Sequence, residues 1–216
     1  MKKLFLSTIA LAMVFVFTSC KDDVTPPEIT LPTDASVPVF QLGDKTAALN
    51  GVTAKDKKDG DVTSNLGVEG LEYVDSAATL IYSVSDEAAN MAVATRTATI
   101  SAEKLFGSYT ISEMDDDLGG DPEVYNVTVA ESASGKSTLV INNLYDANWT
   151  VVLKGNKGAA TLEANPLGIE LGGERGTLTG TATYSNNGTY AILTFKYQIA
   201  FTGKESMHYT ATFTKK

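Results

Sequence analysis

Apolar and polar residues alternate with a period of two over much of the chain. The alternation is clearest at 91–100, 189–201 and 207–214. In the first of these segments Ala98 and Ile100 share one face with other apolar residues, whereas threonines occupy the opposite face. Successive side chains of a β-strand point to opposite sides, so this pattern predicts strands with one buried and one wet face. No segment shows a sustained helical period, and the chain is therefore predicted to be all-β.

The predicted strands fall into two groups, which define two domains at 33–103 and 105–216. Short strands at close spacing are typical of β-sandwiches and β-barrels. The predicted strands are 37–42, 49–54, 62–68, 71–74, 79–85 and 91–100 in the first group, and 108–113, 124–131, 137–142, 149–154, 159–164, 168–171, 176–183, 189–201 and 207–214 in the second.

The second group is predicted to form an antiparallel β-barrel or a closed sandwich, because its strands are joined mostly by short turns. Asn186-Asn187-Gly188 is a strong hairpin signal, and Gly180 in mid-strand suits a sharp bend at a barrel corner. A barrel of eight strands either holds one small ligand or fills itself with side chains, and the sequence leaves both open.

The N-terminus has the organisation of a secretory leader. Met1-Lys2-Lys3 is basic, 4–17 is almost entirely apolar, and two small residues precede Cys20. The apolar run is shorter than the roughly 20 residues that a membrane-spanning helix needs. The pattern resembles the lipobox of bacterial lipoproteins, which implies a signal peptide at 1–19 and lipidation of Cys20. An ordinary signal peptide cut before a chance cysteine is the alternative.

The segment 20–32 is predicted to be the lipidated cysteine followed by a proline-rich tether. Lys21-Asp22-Asp23 resembles the short charged signal that directs lipoproteins of the Bacteroidota to the outer face of the outer membrane. The resemblance implies a protein that is anchored in the outer membrane through Cys20 and faces the cell exterior. A solvated start of a linker is the alternative for these three residues.

Three motifs in the first group carry a second resemblance. They are Gly51-Val52-Thr53-Ala54-Lys55-Asp56, Asp59-Gly60-Asp61-Val62-Thr63 and Tyr82-Ser83-Val84-Ser85-Asp86. Together they resemble the immunoglobulin-like domain of bacterial surface proteins, which implies a seven-stranded β-sandwich acting as an extracellular spacer or adhesion module. By architecture and order of parts, the second domain resembles the lipocalin-like β-domains that follow such modules in lipoproteins of the Bacteroidota.

The net charge and the scarcity of reactive residues argue against several classes of function. The net charge is −9 and becomes more negative without Lys2 and Lys3, which argues against a nucleic-acid partner. The sequence has one cysteine, Cys20, and one histidine, His208. Because Cys20 is the predicted lipidation site, no cysteine is left for a catalytic Cys/His pair, and there is no zinc ligand set. We therefore expect no enzyme activity and no required cofactor.

The acidic run at 56–61 is the candidate metal site. Asp56, Asp59 and Asp61, joined by Asp86 from a later turn, offer the oxygen ligands that Ca²⁺ prefers. The spacing is not that of an EF-hand, and Asp and Gly are also the residues that build tight turns. Calcium binding and turn formation both stay open here.

The stretch 142–149 has the composition of a glycan-binding loop. Tyr145 and Trp149 offer rings on which the C–H face of a sugar stacks, and polar side chains around them offer hydrogen bonds to its hydroxyls. Those polar residues are Asn143, Asp146 and Asn148. The alternative is a hairpin loop with Trp149 in the core, since Trp149 continues the apolar alternation of the following strand.

The lipoprotein-like N-terminus and the composition of the stretch 142–149 together predict a surface-anchored lipoprotein that acts as an extracellular binding module. The preferred ligand is a polysaccharide, captured near an outer-membrane transporter that takes it up. The alternative is a structural or adhesion lipoprotein of the envelope that has a protein partner and no small ligand.

Overall fold

The computed structural model describes residues 23–147 and 149–216, so the predicted signal peptide and Cys20 lie outside the described residues. The N-terminal part of the described chain contains seven strands and one short α-helix. Its elements are β1 (Glu28–Thr30), β2 (Val39–Gln41), α1 (Lys45–Leu49), β3 (Thr53–Asp56), β4 (Gly60–Asp61), a 3₁₀ turn (Thr63–Asn65), β5 (Gly67–Glu69), β6 (Asp75–Ser85) and β7 (Met91–Ser101).

These seven strands form two sheets. One is antiparallel with the order β1-β3-β4, and the other has the order β2-β7-β6-β5, in which β2 runs parallel to β7. Ala54 of β3 and Val84 of β6 are buried together, with the partly buried Ile29 of β1 packed against them. The two sheets therefore share a small apolar core of their own, as expected where the alternate faces of two sheets meet.

Strand β1 lies inside the segment that the sequence predicts as a tether, 20–32. It pairs antiparallel with β3, with Ile29 opposite Ala54, and Pro27 just before it is buried. A proline is tolerated there because it precedes a strand at the edge of its sheet. Residues 28–30 of the predicted tether are thus part of the first sheet. Three residues are too few to show alternation, so only the distant partner strand reveals the pairing.

Helix α1 stands where the predicted strand 49–54 begins. The Asp44 side chain caps the helix by accepting a hydrogen bond from the Ala47 N–H at 3.0 Å, and Ala48 is fully buried. A five-residue helix is too short for a helical period to appear in the sequence, which explains why the alternation pattern missed it.

Beyond a 3₁₀ turn (Glu103–Leu105), near the predicted domain boundary, the chain forms a closed antiparallel barrel of eight strands, with β13 attached outside the closure. The barrel follows the order β12-β11-β10-β9-β8-β16-β15-β14, and β12 pairs with β14 to close it. The elements are β8 (Gly107–Asp115), β9 (Glu123–Glu131), β10 (Thr138–Asn143), α2 (Leu144–Ala147), β11 (Trp149–Gly155), β12 (Thr161–Ala164), β13 (Leu167–Leu171), β14 (Glu174–Ser185), β15 (Ala191–Phe201) and β16 (Met207–Lys215). The predicted barrel is confirmed.

Alternate residues of the barrel strands point inward and pack as a core. In β15, Phe195, Tyr197 and Ile199 are at most 3% exposed, whereas Lys196 between them is exposed. Gly180 of β14 lies opposite Tyr197, and a Cβ at Gly180 would come within 2.5 Å of the Lys196 carbonyl oxygen. The inward-facing side chains of β15 are therefore packed in the barrel core.

The N-terminal sheets and the barrel share one buried apolar cluster. The Tyr184 hydroxyl accepts a hydrogen bond from the Val74 N–H at 2.9 Å and donates one to the Ala159 carbonyl at 3.3 Å. Burial raises the pKa of Tyr184 to about 12. Gly43, at a φ of +71°, lies so close to the ring of Tyr190 that a Cβ would be 2.2 Å from its hydroxyl oxygen. Direct packing joins the two parts.

Candidate functional site

The loop between β10 and β11 contains the residues predicted to bind a ligand. It includes α2 and an isolated bridge between Leu144 and Trp149. Asn143 and Tyr145 adopt positive φ angles of 67° and 54°. Asparagine tolerates this conformation, but a bulky side chain such as tyrosine is strained in it. Strain of this kind persists where surrounding contacts hold the residue in place, and it is concentrated at functional sites.

Those contacts are aromatic. The rings of Tyr145 and Trp149 stack, with centroids 4.5 Å apart and an angle of 18° between the planes. The Tyr209 ring meets Tyr145 edge-on at 5.6 Å and stacks on Tyr197 at 5.1 Å. A column of four rings therefore runs from the loop into the barrel core. Tyr145 and Trp149 are only partly buried, while Tyr197 and Tyr209 are almost fully buried.

A buried carboxylate lies next to this column. Glu113 of β8 is 4% exposed, and it accepts hydrogen bonds from the hydroxyls of Tyr125 at 2.7 Å and Tyr197 at 2.6 Å. The Tyr125 oxygen in turn accepts a hydrogen bond from the Tyr145 N–H at 2.8 Å. Glu113 is therefore connected to the strained loop through the hydroxyl of Tyr125 and to the ring column through the hydroxyl of Tyr197.

Burial raises the pKa of Glu113, because the charged carboxylate loses its hydration inside the barrel. The hydrogen bonds from Tyr197 and Tyr125 oppose that shift, and the negative charge of Glu123 adds to it. Burial also raises the pKa of Tyr197, and the adjacent Glu113 charge raises it further. Tyr197 thus stays a hydrogen-bond donor, which is what Glu113 needs.

The structure brings part of the predicted ligand site together. Tyr145 and Trp149 are in contact, and Asn143 is exposed next to them in sequence. Asn148 and the side chain of Asp146 lie outside the described residues. Trp149 packs against the main apolar cluster, yet part of its surface stays accessible.

Sequence reasoning missed the groups that support this loop, namely Glu113, Tyr125, Tyr197 and Tyr209. One signal was available for Glu113. Tyr109, Ile111 and Glu113 are two residues apart on one strand, so the alternation that buries the first two also directs the carboxylate inward. A charged residue in register with a buried face is rare unless it has partners. Tyr125 comes from β9, which pairs directly with β8, and Tyr197 comes from β15, which is separated from β8 by β16 in the sheet.

A polar groove crosses the outside of β14, β15 and β16. Its volume is about 470 Å³, and Tyr197 and Tyr209 reach it from the barrel wall. The Thr181 hydroxyl donates to Glu163 at 2.9 Å. The polar side chains along the groove are Asp116, Glu163, Thr181, Lys196, Gln198 and His208. Such a surface suits a hydroxyl-rich ligand, but among its described lining residues it offers no exposed tyrosine or tryptophan ring for stacking.

The lone histidine lies at the end of this groove. His208 is exposed, and its Nδ1 is 3.1 Å from Asp117 Oδ2. The pKa of Asp117 is lowered mainly because its carboxylate accepts a hydrogen bond from the His208 backbone N–H. Both side chains are about half exposed, so water screens this pair strongly.

A second candidate site lies in the N-terminal part, where four aspartates meet. One carboxylate oxygen each from Asp23, Asp56, Asp59 and Asp86 lies within 4.8 Å of the others. The predicted ligands Asp56 and Asp59 are thus in one group, together with Asp86. Asp61, the third predicted ligand, lies outside the group and accepts a hydrogen bond from a backbone N–H two residues ahead at 3.0 Å.

Comparison with known proteins finds structural neighbours only. No family model and no curated protein matches the chain. A lipoprotein of Bacteroides thetaiotaomicron is 15% identical, with a TM-score of 0.32, and the match covers 86% of this chain and 99% of that one. The CBM51-2 and INT domains of ZmpB from Clostridium perfringens, solved in complex with GlcNAc, are 11% identical with a TM-score of 0.26. That match covers 87% of this chain and 43% of the other.

In the part of the chain that the structure describes, no helix has both the length and the apolar character required to cross a membrane.

Proposed function

We propose that this protein is a lipid-anchored surface binding module, and that the barrel end carrying Tyr145 and Trp149 binds a glycan. The observation that carries the proposal is the stacked pair of partly exposed rings, 4.5 Å apart. Sugars bind by laying a C–H face on an aromatic ring while nearby amides bond to their hydroxyls. The exposed Asn143 amide, two positions before Tyr145, is such a group.

Rigidity supports this proposal. The Tyr145 ring is held from inside by Tyr209, and its backbone N–H is held by the Tyr125 hydroxyl. A ring that is fixed before the ligand arrives loses little conformational freedom on binding, which favours affinity. The strained φ at Tyr145 fits the same picture, because the surroundings stabilise a conformation that the residue alone would not adopt.

The cellular setting of the proposal comes from the sequence. Cys20 would carry the lipid anchor, the outward-directing resemblance of 21–23 would place the protein outside the outer membrane, and the two N-terminal sheets would act as an immunoglobulin-like spacer. The barrel, which follows in the chain, would then present its loop to polysaccharide beside an outer-membrane transporter.

Glycan-array binding of the purified protein tests the site, followed by calorimetry on the best ligand. Tyr145→Ala removes the stacking ring, and Asn143→Gly removes the amide while keeping a residue that tolerates positive φ. We expect Tyr145→Ala to weaken binding at least tenfold, which corresponds to about 1.4 kcal/mol. Gln198→Ala, in the outer groove, is the control and should bind like the wild type. Circular dichroism verifies that each variant is folded.

Two outcomes would contradict the proposal. Loss of binding in Gln198→Ala but not in Tyr145→Ala would move the site to the outer groove. Failure of the wild-type protein to bind any polysaccharide would favour the structural or adhesion alternative, which predicts a protein partner instead.

A further inference from the structure

The four aspartates of the N-terminal part come from three separate places in the chain. Asp23 precedes β1, Asp56 and Asp59 flank the turn between β3 and β4, and Asp86 follows β6. Asp86 is 7% exposed, and its two oxygens accept hydrogen bonds from the Asn90 backbone N–H at 2.7 Å and the Asn90 side-chain amide at 2.8 Å. The same Asn90 amide donates to the Asp23 carbonyl at 3.0 Å, which joins the start of the described chain to this turn.

Two carboxylate oxygens in this group are buried without a partner. Asp56 is 6% exposed; its Oδ1 accepts hydrogen bonds from the Lys58 N–H at 2.6 Å and the Asp59 N–H at 2.9 Å. Its Oδ2 is buried and has no hydrogen-bond partner, and the same is true of Asp23 Oδ2. Buried polar atoms in folded proteins nearly always have a partner, so two such oxygens in one group call for an ordered water or an ion between them.

The negative charge of the four carboxylates also indicates a bound cation. Four carboxylates that converge repel one another, and burial strengthens the repulsion because water is excluded. The ion pairs found in the described residues lie elsewhere in the chain and do not include these four. Backbone and amide N–H groups satisfy part of the hydrogen-bonding capacity, but they do not neutralise the charge. A bound cation would both give the remaining oxygens a partner and neutralise the charge.

The spacing of the oxygens fits calcium. Ca²⁺ takes six to eight oxygen ligands at about 2.3–2.6 Å, so two ligands on opposite sides of one ion are about 5 Å apart at most. The limit of 4.8 Å between the four carboxylate oxygens satisfies this condition for every pair. Mg²⁺ usually keeps several waters and binds through only one or two carboxylates, so a site with four of them favours the larger ion.

We propose that Asp23, Asp56, Asp59 and Asp86 form a calcium site that fastens the segment before β1 to the turns after β3 and β6. Asp61, although it belongs to the same acidic run, takes no part. Asp23 is three positions after Cys20, so an ion at this site would fix the direction in which the chain leaves the proposed lipid anchor. This inference does not depend on glycan binding by the barrel.

Thermal unfolding and calorimetry of the purified protein test the site, after treatment with a chelator and then with CaCl₂ or MgCl₂. Calcium at about one hundred times its dissociation constant should raise Tm by roughly 5 to 10 °C. Magnesium at the same concentration should give a much smaller shift. Asp56→Asn keeps an oxygen for the Lys58 and Asp59 N–H groups but removes one charge, and it should weaken calcium binding at least tenfold.

Asp61→Asn is the matched control, because it makes the same change in the same turn outside the group, and it should keep the full calcium shift. The shift that calcium induces is compared within each variant, because Asp56→Asn also weakens the hydrogen bonds from the Lys58 and Asp59 N–H groups. Asp23→Asn, in the segment before β1, provides a second variant with the same expected loss of affinity. A wild-type protein without a calcium shift, equal shifts with both cations, or equal shifts in Asp56→Asn and Asp61→Asn would overturn the proposal.

Discussion

The buried carboxylate of Glu113 offers the sharpest test of how the barrel core is organised. Glu113→Ala would leave the hydroxyls of Tyr125 and Tyr197 without their acceptor. Glu113→Gln keeps the shape of the side chain and one of the two acceptor oxygens, removes the charge, and presents an NH2 group to the other phenol. Glu113→Ala therefore removes both acceptors, whereas Glu113→Gln removes the charge and one acceptor.

The burial of each phenol determines how strongly Glu113→Ala destabilises the protein. An unsatisfied buried hydroxyl costs about 1–3 kcal/mol. Tyr197 is 3% exposed and should take the full cost, whereas Tyr125 is partly buried and can recover part of it from water. Glu113→Ala should therefore lower the free energy of unfolding by about 2–5 kcal/mol, or Tm by roughly 5 to 15 °C. Glu113→Gln should destabilise the protein less than Glu113→Ala does at pH 5, because it keeps one of the two acceptors.

The contribution of Glu113 to the stability of the fold changes with pH in a defined direction. Burial raises the pKa of Glu113 in the folded chain above its ordinary value of 4.5, so the folded state holds the proton more tightly than the unfolded state. The contribution of this group to stability is fully present below pH 4.5 and is lost as the pH rises through the folded-state pKa. Glu113→Gln removes this loss, so the stability of the variant relative to the wild type should increase with pH in that window.

Urea unfolding at several pH values measures both effects, and a double-mutant cycle with Tyr197→Phe isolates the pair. The coupling free energy should be about 1–3 kcal/mol, since the two groups are in direct contact. Equal destabilisation by Glu113→Ala and Glu113→Gln would refute the hydrogen-bond argument. A Glu113→Gln variant with the same pH dependence as the wild type would refute the argument from burial.

Two further predictions concern close packing and the joint between the two parts. Gly180→Ala should destabilise the protein by about 1–3 kcal/mol, because the added Cβ lies 2.5 Å from a backbone oxygen; Gly168→Ala, where nothing lies within 4 Å, is the control and should be nearly neutral in chemical denaturation. Tyr184→Phe should cost about 1–3 kcal/mol in the same assay, because it leaves the buried Val74 N–H without its acceptor. A change in Tyr184→Phe too small to measure would show that water or another acceptor reaches Val74.

The candidate sites were only partly visible in the sequence. The aromatic residues Tyr145 and Trp149 were evident from composition, because sugar binding needs rings among polar groups. Their stacking was not, since it depends on the positive φ angles of the loop and on Tyr209 from the last strand. Asp23 was not evident either, because it lies outside the acidic run, in the segment predicted as a tether, and meets the other aspartates only after folding.

What the sequence by itself determined is the local pattern. Period-two alternation placed the barrel strands within a few residues of their observed bounds, because the side chains of one strand must divide between core and solvent wherever it is paired. Tertiary structure alone decided which strands pair: that β12 closes on β14, that β1 joins β3, and that Glu113 finds its two phenols. These contacts join residues far apart in the chain, and no local preference encodes them.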